Sequence, residues 1–142
     1  MQIVTEKDID ILARTIYGEA RCEYNHPQGG LGSLIAVGNV VMNRLNAKRR
    51  FGNSIEDVCL KPFQFSCWNA KDPMRKVITG EGIEKDIVFK ICQEVASAVA
   101  NQAWPDFTRD SNHYHAYYCK PDWADPRKLQ VRLGRHYFYK LG

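Results

Sequence analysis

The sequence predicts a single, mainly helical α+β domain spanning 1–142. Three observations point there: apolar residues recur at helical spacing in three segments, a short stretch near the C-terminus alternates with period two, and 142 residues suffice for one core. Hydrophobic residues make up 44% and charged residues 25%, the balance of an ordinary globular chain.

Thr5-Glu6-Lys7-Asp8 has the capping pattern of a helix start, and Ile9, Leu12, Ile16 and Ala20 define the buried stripe of a helix running to about Arg21. Pro27, Gly29 and Gly30 place a loop over 25–32. Leu34, Val37, Val41 and Leu45 mark a second helix that is apolar nearly all round, hence central, and ends in Lys48-Arg49-Arg50. Ser54 caps a short helix, and 61–82, with Pro62, Pro73, Gly80 and Gly82, is expected to be long and irregular. Ile83, Ile87, Ile91, Val95 and Val99 predict a third long helix stopped near Trp104-Pro105. His113 to Tyr118 is expected as a strand with His113, His115 and Tyr117 on one face and Tyr114 on the other. Leu129, Val131 and Leu133, then His136 and Phe138, suggest further short strands.

Charge and cysteine usage narrow the function. No apolar run is long enough to span a membrane, and the first residues lack the basic start and apolar stretch of a secretory signal. Synthesis in the cytoplasm is expected, so action on an external substrate would need release or export. The net charge of +4 equals the excess between Cys119 and Gly142, where six bases face two acids. A basic segment of that kind suits a polyanion such as nucleic acid, anionic lipid or wall polymer, or is a solvated face. Five cysteines without a C-x-x-C pair argue against a zinc ribbon or thioredoxin-like motif and for reduced thiols, Cys92 being a small buried hydrophobe.

Three features carry chemistry. Glu19 lies within ~20° of Leu12 on the helix wheel, at the edge of the apolar stripe. A carboxyl partly withdrawn from water favours its neutral form, which a general acid needs in order to donate to a glycosidic oxygen. The alternative is a glutamate reaching water or paired with Arg21 or Arg44. Glu23 would share its face if the helix continued, as a nucleophile or as a neighbour that keeps Glu19 protonated. The block Pro62-Phe63-Gln64-Phe65-Ser66-Cys67-Trp68 gathers aromatic rings, an amide and a hydroxyl in an irregular segment, a composition suited to a sugar groove or to a loop tucked into the core. His113-Tyr114-His115 could ligate zinc with a third residue, or hydrogen-bond a sugar; there is no H-E-x-x-H, and the other histidines are His26 and His136.

Taken together, Ile11 to Arg21, Val40-Val41-Met42-Asn43-Arg44, Phe63 to Trp68, His113-Tyr114-His115-Ala116 and Gly134 to Tyr139 resemble the SleB/CwlJ-type cell-wall hydrolase family in order and spacing. The resemblance implies a lysozyme-like, lytic-transglycosylase-like fold around one catalytic glutamate, which falls on Glu19. It implies a groove lined by Gln64, Phe65, Ser66, Trp68, His113, Tyr114 and His115, with Tyr17, Glu23, Asn43 and Arg44 in supporting positions. Cys22 stands where the family has glycine. The expected activity is cleavage of the glycan strand at the bond from N-acetylmuramic acid to N-acetylglucosamine, by transglycosylation or hydrolysis, with peptidoglycan as partner and without metal or cofactor. Lacking a signal and a wall-binding repeat, the chain fits a phage-type endolysin better than a spore enzyme. A monomer is expected, the basic C-terminal region facing anionic wall polymer rather than nucleic acid. The rivals are a zinc-dependent N-acetylmuramoyl amidase using His113 and His115, and a non-enzymatic basic binding module.

Overall fold

In a computed structural model describing residues 3–142, five helices enclose the main core and a three-stranded sheet closes one side. The helices are α1 (Glu6–Tyr24), α2 (Leu31–Leu45), α3 (Ile55–Leu60), α4 (Pro73–Thr79) and α5 (Ile87–Ala100); the strands are β1 (His113–Ala116), β2 (Leu129–Leu133) and β3 (His136–Tyr139). Sheet order is β1-β3-β2, both pairings antiparallel, so β1 is an edge strand. The mainly helical α+β class is the one expected.

Helix α1 is the axis of the molecule. Thr5 and Asp8 form a reciprocal capping box at its start, satisfying two backbone donors that would otherwise be unpaired. Leu12, Ala13, Ile16 and Ala20 are fully buried against α2 and α5. It runs to Tyr24, past the expected end at Arg21, which puts Glu23 on the same helix as Glu19. Helix α2 is apolar nearly all round and buried almost throughout, as expected of a central helix. Its C-cap is Asn46, so Lys48-Arg49-Arg50 lie beyond the helix end, with Lys48 and Arg49 in left-handed turn conformations.

Two expectations need correction. Region 61–82 is not wholly irregular: Ser66–Trp68 form a 3-10 turn, and Asp72 caps α4 with Pro73 in its first turn, where proline's missing N–H costs nothing. The third helix does not begin at Ile83. Glu81–Lys85 form a separate 3-10 turn, and Asp86 starts α5 by accepting from the Val88 N–H. That cap also accepts from the Tyr17 hydroxyl at 2.6 Å, joining α5 to α1.

The sheet packs through Phe138, with Tyr114, Val131 and Leu133, onto Ala36 and Val40 of α2. The alternation expected along β1 holds for its four residues; Tyr117 and Tyr118 lie in the turn that follows. Half of the six C-terminal bases are paired: Arg127 with Asp125, Arg135 with Glu23 and Lys140 with Asp110. Since Glu23 and Asp110 come from outside the segment, they halve its local charge excess.

Candidate active site

One cleft of about 740 Å³ brings Glu19 together with Gln64, Ser66, His113, Tyr114 and His115, and with Glu23 and Arg44. Glu19, half-buried on α1, forms its floor. The two carboxylate oxygens are held from opposite sides. Tyr114 Oη, from edge strand β1, donates to Oε1 at 2.5 Å, and the Cys67 N–H, from the turn before α4, donates to Oε2 at 3.2 Å. Neither Arg21 nor Arg44 forms an ion pair with it: Arg21 donates to the Tyr17 hydroxyl, and Arg44 to Asn112 and Gln64. Each carboxyl oxygen keeps a further lone pair for a proton.

Gly18 makes this approach possible. A Cβ at that position would meet Cys67 Cβ at 2.7 Å and Sγ at 2.8 Å, so only glycine lets the Cys67 turn lie against α1. Burial, with the nearby Glu19 carboxylate, pushes the Cys67 thiol far up, and the same two causes raise the Tyr114 phenol well above its ordinary value. Tyr114 is thus an un-ionised donor, and Cys67 contributes its backbone rather than a nucleophile.

Glu23 has a different task. Its carboxylate binds Arg135 at 2.8 Å and accepts from the Arg135 N–H at 3.3 Å, tying the β2–β3 turn to α1. Gly134, left-handed at φ 58, closes that turn at a point where an added Cβ would meet the same carboxylate at 3.3 Å. Arg44 brings a buried cation with no acid partner among the described residues. Its guanidinium lies between the Phe51 and Phe65 rings at 5.1 and 4.9 Å, donating to Asn112 O at 2.7 Å and to Gln64 Oε1. Burial, then Arg44 and Arg50, push His113 down to about 4, so it is neutral at physiological pH. His115 has both ring nitrogens engaged, Nδ1 with Ala116 O and Nε2 with the Tyr139 hydroxyl. Among the described residues no three of His, Cys, Asp and Glu converge as a zinc site requires.

Four expected residues stand outside the cleft. Phe65 is 2% exposed beneath Arg44, part of the core rather than the groove. Trp68 is half-buried against the same core and donates Nε1–H to Thr15 Oγ1 at 2.9 Å. Tyr17 is buried between Asp86 and Arg21, and Asn43 holds the loop of Asp106, Thr108 and Ser111. Trp68→Ala is accordingly expected to lower stability by about 3 kcal/mol, the low end for a core aromatic, measured by urea denaturation. Unchanged stability with lost activity would return Trp68 to the groove.

Sequence reasoning missed Tyr118 and Trp123 as cleft residues, and Phe63 of the aromatic block also lines the cleft. Trp123 lies 5.1 Å from the His113 ring and 5.8 Å from His115. Its only sequence signal is an aromatic in a Pro- and Asp-containing loop shortly after the H-x-H pair.

A model of the cell wall hydrolase family matches residues 30–139, a segment that starts after α1 and its Glu19. Two solved structures share the fold. The catalytic domain of the Bacillus cereus SleB protein is 21% identical with a TM-score of 0.67, covering 99% of this chain and 94% of that one. The catalytic domain of the germination-specific lytic transglycosylase SleB from Bacillus anthracis is 23% identical with a TM-score of 0.69, covering 99% of both chains. No curated protein matches the sequence.

Proposed function

The chain belongs to the cell wall hydrolase family, and from that premise we propose that it cuts peptidoglycan glycan strands as a lytic transglycosylase, with Glu19 as its catalytic acid and base. The observation that carries this reading is the unequal state of the cleft's two carboxylates. Glu23 is committed to Arg135, while Glu19 faces the cavity with no ion pair among the described residues, steadied by one neutral donor on each oxygen. The site thus offers one free carboxyl group, and transglycosylation needs one.

In the first step Glu19 gives its proton to the oxygen between C1 of N-acetylmuramic acid and C4 of N-acetylglucosamine, and the C1–O bond breaks. The carboxylate left behind is stabilised by the Tyr114 O–H and the Cys67 N–H, whose bonds strengthen as charge develops. In the second step the muramoyl 6-hydroxyl closes on C1 while its proton returns to Glu19, leaving a 1,6-anhydro end and the starting enzyme. The Bacillus anthracis protein of the same fold carries the name of this activity.

Digestion of purified sacculi in EDTA tests the proton-only chemistry. Lysis is expected to proceed at the untreated rate. Loss in chelator with recovery on added zinc would overturn the mechanism and favour the amidase.

A further inference from the structure

Building on the glycan-cleavage reading, we propose that Phe63 and Tyr118 are sugar-stacking platforms on opposite sides of Glu19, gripping the strand on both sides of the bond that breaks. The two carboxylate contacts set the geometry. Oε2 accepts from the turn containing Cys67 and Oε1 from strand β1, so the segment before that turn and the segment after that strand supply separate walls of the cleft. Phe63 belongs to the first wall and Tyr118 to the second, and both line the cleft.

Their exposure is anomalous for such side chains: 85% for Phe63 and 80% for Tyr118. Phe63 is also held at φ 66, a region that bulky residues seldom occupy. The surroundings enforce it, for Gln64 donates its backbone N–H to Lys61 O, and its side chain accepts from Arg44. Strain that displays an apolar ring to water beside a catalytic group indicates a ligand that covers the ring. Tyr118 is presented as firmly. The Tyr117 N–H is bound to Arg135 O and the Cys119 N–H to Ala116 O, and the Tyr117 ring stands edge-on to Tyr118 at 5.4 Å. Pyranose rings carry axial C–H groups that lie flat on an aromatic face, so a glycan crossing the floor would meet one platform on each side.

The test measures kcat, KM and melting temperature on soluble uncrosslinked glycan strands for the wild type, Phe63→Gly, Phe63→Trp and Tyr118→Ala. Glycine accepts the left-handed conformation, so Phe63→Gly should melt no lower than the wild type while its KM rises by up to about tenfold. Phe63→Trp should retain a near-normal KM, Tyr118→Ala should raise it, and kcat should change far less in every case. Wild-type KM in Phe63→Gly and Tyr118→Ala overturns the platforms, as does a fall in melting temperature with KM unchanged. A wild type that leaves glycan strands intact overturns the cleavage reading itself, and the platforms with it.

Discussion

Glu19→Gln is expected to lower sacculus lysis by roughly 10²–10⁴-fold or more while leaving the fold intact. Glutamine keeps the size of the side chain; its carbonyl oxygen can accept from the Cys67 N–H while its NH2 donates to Tyr114 Oη, whose hydroxyl then accepts, so the contacts that position it survive. What it cannot do is deliver a proton to the leaving oxygen or recover one from the 6-hydroxyl. The effect should therefore fall on kcat, with KM and melting temperature close to wild type. Glu23 is the control: its carboxylate is spent on Arg135, so Glu23→Gln should act through the β2–β3 turn and lower stability before chemistry. A Glu19→Gln enzyme clearing sacculi at more than about a tenth of the wild-type rate would show that another group is the acid.

Gly18→Ala should be the next most damaging change, and its sign is diagnostic. In an unobstructed helix interior, alanine is favoured over glycine by about 1 kcal/mol. Here the added methyl would lie 2.7 Å from Cys67 Cβ and 2.8 Å from its Sγ, contacts that cannot persist. Overpacking of that kind costs about 1–3 kcal/mol and outweighs the propensity gain. The Cys67 turn must move away from α1, and its 3.2 Å hydrogen bond to Glu19 is already long. Hydrogen bonds to a charged group contribute about 1.5–3 kcal/mol, so kcat should fall roughly tenfold to a hundredfold. Urea denaturation and single-turnover lysis would show both losses together. A stabilised, fully active Gly18→Ala protein would mean that the turn does not hold the carboxylate.

Much of this is legible in the sequence. Thr5 and Ser54 announce their helices because the cap and its partner lie three residues apart in sequence. Asp72-Pro73 is an equally local cap, its partner Met74 two residues on, yet the surrounding prolines and glycines give the segment the composition of a loop. Apolar spacing ran on through Ile83 because periodicity cannot register a cap such as Asp86 that restarts the chain direction. Glu19 was visible because a carboxylate beside a buried stripe contradicts its surroundings. The aromatic block was recognisable as a block, but not residue by residue. In an extended segment Phe63 and Phe65 would share a face; the left-handed residue at 63 breaks that parity, sending Phe65 inward and Phe63 outward. The ion pairing of the basic C-terminal segment depends on Glu23 and Asp110, and no local pattern reveals partners so distant in the chain.

The central claim, that one carboxyl group breaks the glycan strand by internal ring closure, is tested most directly by mass spectrometry of sacculi digested with the wild-type enzyme. Fragments ending in 1,6-anhydro-N-acetylmuramic acid, absent from the Glu19→Gln digest, are the predicted result. Stem peptides released from intact glycan strands, or reducing muramic acid ends without the anhydro form, would contradict it.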